Sequence, residues 1–205
     1  MITLLHTSPA HVPTFDALRD ALAPGMALRH IVREDLLARA RGEGITREIA
    51  AEVAALVTPG ATLCTCTTLG KAAEAAGALR IDRPLMQAAA QTGGKVLLAY
   101  CLESTAGPSL SLLREEMEKT ANSAGTETVF LPSAWPLFEA GDIPAFAAAI
   151  ATGIRAAITP DIACIALAQA SMAPAAPLLA DTRLPVLASP ELAFRAALAS
   201  ISPTG

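Results

Sequence analysis

An α/β fold with parallel sheets is the class this sequence predicts, and two observations predict it. Short apolar runs bounded by turn residues recur along the chain with helical patterns between them, the mark of βαβ units. The chain also repeats itself weakly. ITLLHTSP is echoed by KVLLAYCLEST, and ATLCTCTTLGKAAEAA by CIALAQASMAPAAPLL, so two pseudo-symmetric lobes are expected.

In order, the strand candidates are ITLLH, MALRHIV, ATLCTC, KVLLAYC, ETVFLP, DIACIALA and LPVLAS. Between them, TREIAAEVAALV sets Ile49, Val53, Leu56 and Val57 on one face, with Thr46 as N-cap and Pro59-Gly60 as the stop. LSLLREEMEKT repeats the logic: Leu110, Leu113 and Met117 line one face, and Glu115 with Lys119 forms an i,i+4 pair on another. Each half carries a strand, a small polar turn (Thr67-Thr68 in one, Ser171 in the other) and an Ala-rich segment. Ligands bind beyond the carboxyl ends of parallel strands, so two facing lobes are expected to gather these turns around one inter-lobe cleft.

Composition removes several classes of function. The 205 residues are 53% hydrophobic, 17% charged and 3% aromatic, which describes a globular chain with an interior of Ala, Leu, Ile and Val. A net charge of -4 without a Lys/Arg cluster argues against nucleic acid as a partner. MITLLHTSP lacks a basic leader pattern, and AFAAAIATGI is stopped by Arg155 short of a membrane span, so a cytoplasmic location without membrane contact is expected. Cys64, Cys66, Cys101 and Cys164 all fall in or beside apolar runs, which suits reduced thiols. No Cys/His set has zinc spacing, and no glycine-rich dinucleotide fingerprint follows the first strand. Neither a metal nor a cofactor is called for.

The chemical signal lies in LCTCTTLG, residues 63–70, where a strand meets a helix start at a cysteine and two threonines. A thiol there sits among unsatisfied backbone N–H groups that favour the thiolate. Cys66 is nearest the helix and is followed directly by Thr67-Thr68; Cys64, two residues earlier, is its rival. Cys101 and Cys164 read as buried core thiols, and His6 as a structural histidine outside the catalytic set. Asp82-Arg83, before Pro84, reads as a surface turn.

Together, Cys66-Thr67-Thr68 and Gln169-Ala170-Ser171 resemble the paired motifs of the aspartate/glutamate racemase superfamily. There a Cys-Asn-Thr motif in one lobe faces a Gly-Cys-Thr motif in the other. The present chain has Thr67 for the Asn, and Ala170 where the second thiol would stand. The resemblance implies two lobes, each with a parallel sheet of four strands flanked by helices. It places them at 1–93 with 184–205 and at 94–183, the last strand and helix returning to the first lobe. It further implies carboxylate binding at the end of each lobe's first strand, here at Thr7-Ser8 and Ser104-Thr105, with Glu103 as a departure in the second loop.

By this reading Cys66 is an acid/base at the carbon next to a carboxylate, with its pKa drawn toward neutral. Thr7, Ser8, Thr67, Thr68, Ser104, Thr105 and Ser171, the last with a helix start of its own, bind a small carboxylic acid. One thiol suits a decarboxylase or a non-racemising isomerase better than a racemase. The alternative is a carboxylate-binding protein of the same fold without catalysis. Homo-oligomerisation is left open.

Overall fold

The computed structural model describes residues 1–201 and divides them into two compact units. One comprises Met1–Arg83 with the chain from Pro190, the other Pro84–Ser189.

The first unit runs β1 (Ile2–His6), a 3-10 turn (Pro9–His11), α1 (Val12–Leu22), β2 (Leu28–Val32), α2 (Glu34–Glu43), α3 (Arg47–Leu56), β3 (Thr62–Cys64), α4 (Thr67–Ala75) and β4 (Leu79–Arg80). The next helix, α5 (Asp82–Gln91), begins in it and continues into the second unit. The sheet is wholly parallel in the order β2-β1-β3-β4. β1 is buried along its whole length, its polar Thr3 and His6 included. On one face Leu5, Cys64 and Cys66 pack with Leu36, Ile49, Val53, Leu69 and Ala73 of α2, α3 and α4. The Thr46 hydroxyl accepts the Ile49 N–H at 3.2 Å, the cap expected for α3.

The second unit contains β5 (Lys95–Tyr100), α6 (Glu103–Lys119), β6 (Thr126–Phe130), a 3-10 turn (Pro132–Ala134), α7 (Trp135–Glu139), α8 (Ile143–Ala157), β7 (Ile162–Leu167), two 3-10 segments (Ala170–Ala175 and Pro177–Thr182) and β8 (Val186–Ala188). Its parallel sheet, β6-β5-β7-β8, repeats the pairing pattern of the first. Leu97, Ala99, Phe146, Ile150, Ile154, Ile165, Leu167 and Met172 build the core. Glu115 and Lys119 pair at 2.6 Å, as their spacing predicts.

Three expectations are corrected. The last strand does not return to the first sheet: β8 pairs with β7, and only the final helix, α9 (Ser189–Ile201), joins the first unit, where Phe194 meets Phe15 edge-on at 6.2 Å. The units divide after Arg83 and Ser189, whereas the expected limits were 93/94 and 183/184. α5 is tied to second-unit elements, its Ala90 carbonyl accepting from Asn122 at 3.1 Å. The segment after Ala170 is 3-10 rather than α-helical, because Pro174 and Pro177 lack the N–H groups an α-helix needs. Ser171 therefore has no α-helix start behind it. Among the described residues, no helix is long and apolar enough to cross a membrane.

Candidate active site

The register of the first sheet aligns the end of β1, with Thr7, beside the end of β3, with Cys66. β1 pairs with β3 as Leu4↔Leu63 and Leu5↔Cys64, and the ladder continues through Thr65 N–H to Leu5 O at 2.9 Å. His6 and Thr65 come next on one face, and Thr7 and Cys66 follow on the other. Cys66 is extended (φ -115°, ψ 118°) and immediately precedes α4. Thr67 and Thr68 form that helix's first turn and are buried.

Cys66 is 7% exposed. Burial pushes its thiol up, contrary to the expected drift toward neutral. Hydrogen bonding from the Thr7 hydroxyl, and then from the N–H groups of Leu69 and Thr68, holds it back, while the Asp82 charge adds to the rise. Cys66 is itself the N-cap residue of α4, so the helix's first N–H groups lie next to its thiol. The resting species is thus a thiol with donors in place to receive a thiolate. Cys64, fully buried, donates to the Cys66 carbonyl at 3.6 Å, and burial pushes its thiol up. Its hydrogen is committed to that carbonyl. Cys101 is 2% exposed and is raised by burial to about 12, as a core thiol should be; all four cysteines are free.

The other first-unit candidate has local work. Ser8 caps the Pro9–His11 turn, accepting from Ala10 N–H at 3.3 Å. His6 is fully buried and lies on the face opposite Cys66. Its Nδ1 is 2.8 Å from Thr65 Oγ1, whose own hydrogen goes to Leu5 O at 3.1 Å, so Nδ1 must be the donor. His6 Nε2 then accepts from His30 Nδ1 at 2.9 Å, and the ring packs on Phe15 at 5.6 Å. His6 is structural and does not supply a proton on the thiol's face.

Asp82 was read as part of a surface turn, yet it is fully buried and paired with Arg80. Gly70 of α4 makes room for this pair, because a Cβ there would sit 3.2 Å from Arg80 Nε. No spacing rule pointed to it, since an Arg on a two-residue strand gives no hint of burial.

In the second unit, Thr105 is 2% exposed, Ser104 half-buried and Glu103 exposed at the first turn of α6, where its charge suits the helix dipole. Ala170 is buried and carries no titratable group. Ser171 is 6% exposed, and its hydroxyl has no hydrogen-bond partner among the described residues. Buried hydroxyls are nearly always bonded, so an unsatisfied one marks a place where a ligand or water completes the structure. Sequence reasoning missed Gln169, whose carboxamide oxygen accepts from both Cys101 N–H (2.5 Å) and Leu102 N–H (3.2 Å). Among the described residues, no group of three or more His, Cys, Asp or Glu is placed to hold a metal.

Two sheets of identical strand order, each followed by a short polar motif at the carboxyl end of its third strand, can be set against known structures. The aspartate racemase of Picrophilus torridus has a TM-score of 0.61 at 13% identity, covering 97% of this chain and 93% of that one. The chain shares the fold of this racemase. Allantoin racemase from Klebsiella pneumoniae is similar at TM-score 0.61 and 17% identity, covering 97% of this chain and 86% of its own. A glycine-to-cysteine mutant of arylmalonate decarboxylase in its sulfate-associated form gives 0.57 and 14%, covering 100% and 94%. No protein-family model and no curated protein sequence matches the chain.

Proposed function

We propose that the protein is a cofactor-independent enzyme in which Cys66 exchanges a proton at the carbon next to a carboxylate of a small acid. The observation that carries this is the set of donors around one thiol: the Thr7 hydroxyl and the N–H groups of Leu69 and Thr68 all favour the thiolate that proton donation would leave behind. The pairing with Ala170 at the matching place in the second motif makes the chemistry one-sided. Thr67 and Thr68 hold the substrate carboxylate at the opening of α4.

A thiol raised by burial rests protonated, which favours a reaction in which the thiol's first act is to give a proton rather than to take one. Decarboxylation meets that condition. The C–C bond to one carboxylate breaks and CO2 departs. The electron pair remains as an enediolate on the retained carboxyl group, and Cys66 S–H gives its proton to the carbon. Solvent then reprotonates the thiolate. One of the similar folds is that of a protein named a decarboxylase, in keeping with this subtype.

The test is a panel of small mono- and dicarboxylic acids incubated in deuterated water and followed by NMR, for wild type and Cys66→Ser. Deuterium entering one face of the α-carbon, with or without loss of CO2, and its disappearance in the variant are expected. Equal rates in the variant would remove Cys66 from the mechanism. The burial of Cys66 also favours a second reading, a carboxylate-binding protein with an inert thiol. An inert wild type whose Cys66 resists alkylation at every pH tested, while a carboxylic acid still binds, would establish that reading instead.

A further inference from the structure

Two consecutive backbone N–H groups at the carboxyl end of β5, those of Cys101 and Leu102, converge on a single oxygen. Such a pair is a ready anion nest, placed one residue before the first turn of α6. The oxygen it holds belongs to the protein. Gln169 follows β7, on a neighbouring strand of the same sheet, and its side chain is almost wholly buried. Its carboxamide can only be oriented with oxygen toward these donors, because the opposite orientation would set its NH2 against two N–H groups.

We infer that Gln169 is a specificity-determining residue: its carboxamide oxygen permanently fills the donor pair at the end of β5, so the substrate anchors no second carboxylate there. This deepens, and rests on, the reading of the protein as acting on small carboxylic acids. Filling the nest with a neutral oxygen satisfies both buried N–H groups without importing charge. Glu103, exposed at the first residue of α6, repels an approaching anion at the same end of the unit. Ser171, two residues beyond Gln169, keeps its unpartnered hydroxyl for a neutral or singly held oxygen. The substrate class is therefore an acid with one anchored carboxylate and a group that is not bound as an anion by the β5 loop.

The experiment uses 15N-labelled full-length protein titrated with sodium sulfate, succinate and propionate, reading the Cys101 and Leu102 amide resonances in wild type, Gln169→Gly, Gln169→Ala and Gln169→Glu. In wild type and Gln169→Glu these two resonances are expected to stay in place. In the Gly and Ala variants they should shift saturably with sulfate and succinate, and the succinate affinity should rise about tenfold relative to propionate, the worth of a charge-assisted hydrogen bond. Saturable shifts of both amides in the wild type would overturn the inference, as would folded Gly and Ala variants whose amides do not respond. Should both variants fail to fold, the wild-type titration decides alone, inert amides supporting the inference and shifting amides refuting it. Turnover plays no part in this readout, so a failure of the proposed reaction and a failure of the closed nest are told apart.

Discussion

Arg80 and Asp82 form a two-pronged ion pair inside the first unit, Nε at 2.7 Å and Nη2 at 2.8 Å from the two carboxylate oxygens, with side chains only 5% and 0% exposed. Breaking a buried pair from one side leaves an uncompensated charge, at a cost of about 3–5 kcal/mol. Asp82→Asn should therefore lower the thermal midpoint by about 10 °C. The double variant Arg80→Met/Asp82→Asn should recover most of that loss. A single variant that melts with the wild type would show that Glu74, 3.7 Å from Arg80, already balances the guanidinium.

Thr7→Val removes a donor that favours the Cys66 thiolate. The thiol should then titrate higher still, and the alkylation rate at fixed mildly alkaline pH should fall about tenfold, the equivalent of roughly one pK unit. Turnover in the deuterium assay should fall in parallel. An unchanged alkylation profile would place the Thr7 hydroxyl elsewhere in solution.

Acid sensitivity should begin unusually early. Burial, then the charges of His11 and His30, hold His6 down to about 3, and burial holds His11 down to about 4. Because both folded values lie below the ordinary 6.5, the unfolded chain binds more protons as pH falls through that value. Stability is complete above pH about 6.5 and drains away toward the folded values, by on the order of 2 kcal/mol per histidine at pH 5. Thermal melts from pH 7.5 to 5 should show this loss, and His6→Gln should blunt it. A flat profile across that window would contradict the buried, neutral state of His6.

Ser171→Ala separates binding from folding. The hydroxyl has no partner among the described residues, so its removal should leave the melting temperature unchanged or slightly higher. If it meets substrate, KM should rise several-fold. A drop in stability together with an unchanged KM would assign the hydroxyl to an internal bond.

Ala170 has no proton to exchange, so the wild type should label only one face of the α-carbon. Ala170→Cys should add exchange on the second face and begin to interconvert enantiomers, followed by chiral chromatography of aspartate, glutamate and related acids in deuterated water. Rapid wild-type interconversion with label on both faces would refute the one-thiol mechanism.

What could be read in advance was whatever depended on neighbours in sequence. β1, β5 and β7 are largely buried, so each is dominated by apolar residues, without a break from Val96 to Ala99 in β5 and throughout β7. Cys66 takes its character from a helix that starts at the next residue, and two of the groups acting on it, the N–H groups of Thr68 and Leu69, lie in that helix's first turn. β4 was not legible, because two residues leave no period and its Arg is buried only by virtue of Asp82. Gln169 was passed over for a related reason: its partners are the backbone of Cys101 and Leu102, 68 and 67 residues away, and backbone donors leave no trace in a sequence. The 3-10 path after Ala170 could have been seen, since Pro174 and Pro177 were in plain view, but the Ala-rich composition outweighed them.

The splitting of β8 from α9 sets an order of events on the ribosome. Every residue of the second unit, through Ser189, is synthesised before Phe194, Ala193 and Ala197, all buried in the first unit, emerge. Of the two units, the one entered first along the chain is thus the one completed later. Its nascent form, with Phe15 lacking the Phe194 ring, must wait with an open apolar face while the later-born unit already has its complete chain. A stop codon just after Ser189 would spare the second sheet and leave the Cys66-bearing unit without its closing helix.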